Sequence, residues 1–493
     1  MSTFSIIFQT HYSGACHCRW NGITILCRIM THDVLIIGGG SAGYAAARTA
    51  RDEGANVGII DQGPLGGLCI LRGCMPTKTI LRSSDIISLM KRAEEFGLHP
   101  VSAKANLSAI IDRKARLIGE FADDRIQALK DSRFTLYEDR ARFLSPQEVQ
   151  VGPRTLKAKA MIISTGSVVS RVPIPGLEEV GYITSDEALE LRDLPQSMIV
   201  LGGGPVAIEL AQFYSRLGTK VTLLQRSAHI MSSGDEDLAI PVETRFREEG
   251  MTVFTNTQLH RVTKDGTQKM AHFSHDGQEK TVTADVVLQA LGRRPNIDSL
   301  NLEAARVETQ KGGVVVNDTM RTNQPHIFAV GDVNGMHEIV HIAIEQGEIA
   351  GWNAVHPNDS SRNYDDRLKT QVVFTDPQVA SVGLSERECR RENIAYLAAS
   401  YPFNDHGKSM TLGETHGHVK LLADPLTGTI LGAHIVGPEA AELIHELIAV
   451  MYFHGTVHDL MRMPHYHPTL SEIITYPAEE LLARIPKPAN RLS

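Results

Sequence analysis

A short apolar run, a cluster of glycines and a helical stretch follow one another twice in this chain of 493 residues. The first copy is the run at 33–37, then Gly38, Gly40, Ser41, Ala42 and Gly43. The second is the run at 197–201, then Gly202, Gly204 and, in place of the third glycine, Ala207. A strand that ends in G-x-G-x-x-G and opens a helix makes a turn tight enough for a pyrophosphate to approach the helix amides. Two such turns call for two dinucleotides. They also call for an α/β chain of several domains, because 493 residues exceed what one core organises.

Each turn is followed by a second apolar run whose last residue faces a ribose. The first run ends at Asp61, an acid at the spacing that holds a ribose hydroxyl. The second ends at Gln225 and Arg226, and a neutral residue followed by a cation suits a 2′-phosphate.

Directly after Asp61 come Gly66, Gly67, Cys69, Cys74, Pro76 and Lys78. The glycine pair and Pro76 put both cysteines where a loop becomes a helix, close to free amides and a positive helix end. That setting favours the thiolate, and two thiols within reach of each other form a reversible disulfide. Two inert buried cysteines would not need so specific a frame. Near the other end, His467 and Glu472 stand in the run His465, Tyr466, His467, Pro468, Thr469, Leu470, Ser471, Glu472. Disulfide exchange needs a group that takes a proton from an incoming thiol and returns it, which an imidazole held by a carboxylate does near neutral pH.

These motifs resemble those of the class I flavoprotein disulfide reductases, the family of dihydrolipoamide dehydrogenase, glutathione reductase and mercuric reductase, over nearly the whole chain. The resemblance implies two Rossmann-like domains, one for FAD and one for NAD or NADP, plus a C-terminal α+β dimerisation domain. The expected boundaries are 32–181 and 299–366 for the FAD domain, 182–298 for the NAD(P) domain and 367–493 for the interface domain. It implies that Cys69 forms the mixed disulfide with substrate, that Cys74 contacts the flavin and that Lys78 pairs with Glu209 close to flavin and nicotinamide. Gly67, Thr165, Gly166, Gly331 and Asp332 are implied in FAD binding, with Asp332 on the ribityl chain. Gly292 marks the exit from the NAD(P) domain. His467 and Glu472 are implied to serve the disulfide of the partner subunit, which makes the homodimer obligatory.

A dihydrolipoyl group on a carrier protein is the substrate that the His-x-His-Pro-Thr-x-Ser-Glu wording favours. Leu71 and Arg72, where the family's common wording is Asn-Val, and the missing acid at Gln225 keep NADPH-dependent reduction of a small disulfide as the alternative. Mercuric reduction fits less well, because the last residues, 486–493, lack a cysteine pair. A non-enzymatic redox sensor would not need His467 and Glu472.

A formal charge of -8 gives no basis for nucleic acid or anionic membrane as partner, and no apolar run is long enough to span a bilayer. Six cysteines in a chain of this length fit a redox pair in a reducing compartment, the cytoplasm, and no metal site is expected in the fold. Residues 1–31 contain no acid and show neither helical nor alternating periodicity. They read as a disordered extension ahead of a start at Met30, with a targeting segment or a metal-binding tail of His11, Cys16, His17 and Cys18 as alternatives. Between 79 and 129 the pattern is helical, and Ile86, Leu89, Met90, Phe96, Leu107, Ile110, Ile111, Leu117, Ile118 and Phe121 are expected to form core stripes.

Overall fold

The computed structural model describes residues 15–20, 23–28, 30–99 and 102–486. The chain forms two compact units, one of Met1–Met75, Leu117–Val169 and Arg293–Tyr364, the other of Pro76–Arg116, Ser170–Gly292 and Asp365–Ser493.

The first unit is built on a seven-stranded sheet. Its centre is β1 (Met30–Ile37), flanked in parallel by β2 (Val57–Ile60) and by Arg154–Ile163. Val34, Leu35, Ile36 and Ile37 are all buried, as befits a parallel strand covered on both faces. Helix α1 (Ser41–Asp52) follows β1 and buries Ala42, Ala45, Ala46, Ala47 and Ala50. These small side chains admit the helix Val340–Val355 at close range. A Cβ on its Gly347 would overlap the Ala42 carbonyl oxygen, and one on Gly351 the Ala46 carbonyl oxygen. Helix α2 (Cys74–Lys91) begins in the first unit and continues into the second.

The second unit repeats the motif: β3 (Ser197–Leu201), α3 (Pro205–Leu217) and β4 (Lys220–Leu224), in a four-stranded parallel sheet with Thr252–Phe254 and Val286–Gln289. After Asp365 the chain forms a five-stranded antiparallel sheet covered by the helices Ala440–Tyr452 and Thr475–Arg484. No helix among the described residues is long and apolar enough to cross a membrane.

Three details differ from the sequence reading. Residues 76–116 group with the second unit, because Ile80, Leu81, Leu107 and Ile111 pack with Met198, Ala207 and Phe213. The helical stripe is only partly core. Leu107, Ile111 and Ile118 are buried, whereas Phe96 and Phe121 are exposed, as are Ile86 and Leu89, since α2 turns Ile80, Leu81, Ser84 and Ser88 inward instead. Finally, the stretch that shows no periodicity contains an antiparallel ribbon, Ala15–Trp20 with Ile23–Arg28. Ladder hydrogen bonds need no alternating side chains. The targeting and metal-tail readings rest on side chains outside the described residues.

Candidate active site

The first glycine turn and the cysteine stretch meet. Gly38 has φ +108°, open to glycine without strain, and a Cβ on Gly43 would overlap the Gly38 carbonyl oxygen. No side chain caps α1 at Gly40, so the amides of Ser41, Ala42 and Gly43 stand at an uncovered helix end. A Cβ on Gly67 would lie 2.7 Å from the Gly40 Cα, so the redox stretch is pressed against the turn. Cys69 lies in the short helix Gly67–Leu71 and Cys74 is the first residue of α2; both are half-buried. Asp61 accepts from the amides of Gly39 and Gly63, each at 2.7 Å, which fixes its carboxylate at the end of β2.

The segments 165–167 and 331–332 are joined in the same unit. Thr165 Oγ1 donates to the Asn296 carbonyl at 2.7 Å, and the Asn296 amide to the Gly166 carbonyl at 2.9 Å. Ser167 Oγ donates to Asp332 Oδ2 at 2.6 Å and accepts from Arg293 Nε at 2.8 Å. Gly331 donates its amide to Gln346 Oε1 at 2.8 Å, and a Cβ there would lie 3.3 Å from that of Ala42. The residues around this turn fit FAD: a glycine cradle, an uncovered helix end and an acid for the ribose.

One member of this group escaped the sequence reading. The Arg125 guanidinium lies 4.5 Å from the Tyr44 ring centroid, with its buried Nη1 lacking a hydrogen-bond partner among the described residues. Burial lowers its pKa from the ordinary value, with Tyr44 and Cys69 opposing that shift. An unpaired guanidinium nitrogen at this corner is what an anionic cofactor would satisfy. The available signal was its place one turn after buried Ala122 and one before buried Leu129, on the inward face of the helix Leu107–Leu129.

In the second unit, Lys78 Nζ pairs with Glu209 Oε2 at 2.7 Å. Glu209 is buried and also accepts from the Phe374 amide at 2.8 Å, while Lys78 stands 4.7 Å from the Phe374 ring centroid. Gly202, with φ +114°, opens the second turn, Gly204 is the uncapped start of α3, and Ala207 is wholly buried. Gln225 packs on Gly203 and donates Nε2 to the His229 carbonyl at 3.2 Å; Arg226 is exposed. Gly292 accepts from the Ser170 amide at 3.0 Å.

Also in the second unit, His467 Nδ1 is 3.0 Å from Glu472 Oε2. The imidazole is 81% exposed and the carboxylate only 12%. Behind Glu472 lies His406, a fully buried histidine whose Nε2 is 3.4 Å from Oε1 but has no hydrogen-bond partner among the described residues, and whose Nδ1 is 2.8 Å from Ser409 Oγ. Nothing local marks His406; its neighbours Asn404, Asp405 and Gly407 read as a turn.

Few chemistries need two dinucleotides and a pair of thiols at once. Electron exchange between a nicotinamide and a disulfide, by way of FAD, is the one to which this fold and site assign the chain. Residues 32–347 match the model of the pyridine nucleotide-disulphide oxidoreductases and 370–478 that of their dimerisation domain, and the chain belongs to this family. It is 33% identical over 428 residues to a mercuric reductase of Staphylococcus aureus, covering 86% of this chain and 78% of that protein. It is 33% identical over 422 residues to a dihydrolipoyl dehydrogenase of Bacillus subtilis, covering 84% and 91%. Among solved structures, the HOCl-induced flavoprotein disulfide reductase RclA of Escherichia coli superposes with a TM-score of 0.80 at 25% identity, over 91% of this chain and 99% of that one. The chain is therefore an FAD- and NAD(P)-dependent disulfide oxidoreductase with the dimerisation domain of a homodimer.

Proposed function

We propose that the enzyme oxidises a dihydrolipoyl group carried on a protein, with Cys69 and Cys74 as its redox pair and His467 as its acid–base group. The observation that carries this reading is the Glu472 carboxylate, only 12% exposed, set against Nδ1 of an imidazole that is 81% exposed in the single subunit. A carboxylate on Nδ1 fixes the tautomer and leaves Nε2, pointing outward, to take a thiol proton. By family analogy this base serves the cysteines of the partner subunit.

In the oxidised enzyme the pair is a disulfide. One substrate thiolate attacks Cys69 Sγ, and Cys74 leaves as a thiolate at the N-terminus of α2, where helix amides stabilise the charge. The second substrate thiol, deprotonated by His467, attacks the substrate sulfur of the mixed disulfide, and Cys69 leaves. Two electrons have then moved from substrate to enzyme, a substrate disulfide has formed, and His467 holds a proton. Bound FAD supplies the two-electron coupling between the cysteine pair and NAD(P). Glu209 keeps the Lys78 ammonium in place. Asp332, clamped by Ser167, and Asp61 would hold ribityl and ribose hydroxyls.

One observation favours a second reading, the NADPH-dependent reduction of a disulfide: Gln225 and Arg226 stand where an NAD site would carry an acid. Steady-state rates separate the two. Dihydrolipoamide with NAD or NADP is expected to turn over, and His467→Gln to slow it by about 100-fold or more. Turnover of glutathione disulfide or another disulfide with NADPH, without dihydrolipoamide oxidation, would replace the first reading by the second. A flavin reduced by dithionite but not by NAD(P)H would overturn both.

A further inference from the structure

We propose that His406 is a positioning residue for the disulfide-exchange base: its Nε2–H faces the second oxygen of Glu472 and holds that carboxylate in register with His467. The inference rests on reading His467 and Glu472 as the acid–base pair. Glu472 spends Oε2 on His467 Nδ1 at 3.0 Å, and its Oε1 lies 3.4 Å from His406 Nε2. The carboxylate is 12% exposed and the buried imidazole not at all, so solvent serves this contact poorly.

The charge of Glu472 selects the tautomer. His406 Nδ1 lies 2.8 Å from Ser409 Oγ, a wholly buried hydroxyl that satisfies either form of the ring, because it both donates and accepts. A lone pair on Nε2 would repel Oε1, whereas a proton there is attracted. Nε2 therefore carries the proton, and Nδ1 accepts from Ser409. At 3.4 Å the contact is just too long for an N–H···O bond, and Nε2 has no hydrogen-bond partner among the described residues. A buried donor in that position gains by closing on the carboxylate, and contacts of this kind tighten when substrate binds. The ring is confined on every side that matters for its aim. The His406 amide donates to the Phe403 carbonyl at 3.2 Å and the Met410 amide to the His406 carbonyl at 3.0 Å. Phe403 is wholly buried, so close to Gly437 that a Cβ there would overlap its ring. Tyr476, one turn after Glu472, meets the imidazole edge-on with 6.1 Å between ring centres. A carboxylate free to turn would release His467 Nδ1 and with it the orientation of the base, so His406 bears on the thiol step and not on hydride transfer.

The two steps are read separately on the oxidised, FAD-loaded homodimer: the thiol step by mixing with excess dithiothreitol and following flavin absorbance, the hydride step by NAD(P)H-driven reduction of ferricyanide. His406→Leu should slow the thiol step about tenfold and leave the hydride step within about twofold. His406→Gln, whose amide nitrogen reaches the place of Nε2, should recover most of the loss. His406→Asn, whose shorter amide falls short of Oε1, should share it, and takes the place of His406→Leu where that variant does not fold. In a Glu472→Gln background, itself slow in the thiol step, His406→Leu should cost nothing further, because it acts through the carboxylate. Flavin content and unfolding midpoint check folding. An unchanged thiol step in folded His406→Leu or His406→Asn, an equal loss in both steps, or a comparable further loss on top of Glu472→Gln overturns the inference. A thiol step that Glu472→Gln leaves untouched overturns the acid–base reading along with it.

Discussion

Both glycine turns open alike, with Gly38 at φ +108° and Gly202 at φ +114°, and they diverge at the third position. At the first turn the helix is drawn so close that Gly43 has no room for a methyl group. Besides the Gly38 carbonyl, Ser164 Oγ would lie 2.6 Å from a Cβ there, and that hydroxyl donates to the Gly38 oxygen at 2.8 Å. At the second turn Ala207 already carries the methyl and is fully buried. The lesson is that the third glycine is a packing requirement, set by the groups behind the turn, whereas the first is a backbone requirement common to both.

The strand ends differ in a second way. Asp61 accepts two backbone amides, whereas Gln225 donates to the His229 carbonyl. Their downstream segments differ too. The first turn leads into the cysteine stretch, pressed on Gly40, and the second into a loop anchored by Asp235 on the helix Glu386–Glu392.

Substitutions can break this comparison at each level. Gly43→Ala should have the largest effect, about 4 kcal/mol or more of destabilisation and loss of most bound flavin, read from the flavin absorbance per subunit. Retention of flavin would show that the first turn tolerates the methyl that the second carries.

Next comes Lys420→Met, which strands buried Asp235 and should cost about 3 kcal/mol at pH 7 in urea unfolding. Burial raises the pKa of Asp235, but the Lys420 hydrogen bond and charge and the amides of Arg387 and Glu386 outweigh it, so the carboxyl lies below its usual range. Such a group stabilises the fold above its unfolded pKa and loses that contribution as pH falls through the folded value. The gap between wild type and variant should therefore narrow in acid. A gap that widens there would sink the assignment.

Gln225→Asp should shift the ratio of NAD to NADP affinity by about tenfold toward NAD, or about 1.4 kcal/mol, in direct titrations. Ala207→Gly should be the mildest, about 1 kcal/mol from the extra freedom of glycine in a helix, with nicotinamide binding kept. A larger loss would mean that the methyl of Ala207 fills space the second turn needs.

Much of this arrangement is legible in the chain because it follows from local backbone demands. A glycine that must adopt positive φ, a strand buried on both faces and a helix with an alanine stripe all leave short-range patterns. The pairs Lys78 with Glu209 and His467 with Glu472 were accessible through family wording, and the structure brings each pair together. Arg125 and His406 were not. Each meets its site through residues far away in the chain, Arg125 through Tyr44 and His406 through Glu472, and each sits in a stretch that otherwise reads as amphipathic helix or turn. The stripe over 79–129 misled for a related reason: α2 places Ser84 and Ser88 inward and Ile86 and Leu89 outward, a choice made by neighbours that periodicity does not contain.

The sequence by itself thus determined the two glycine turns, the cysteine pair at a loop-to-helix junction and the C-terminal imidazole and carboxylate, since each is encoded within a dozen or so contiguous residues under steric and hydrogen-bonding rules. Only the tertiary structure decided which side chains from distant segments complete them. It put Arg125 near Cys69, His406 behind Glu472 and Arg387 against the loop of the second turn. Such placements are fixed by helix and sheet packing across long separations, where no local rule constrains which residue arrives.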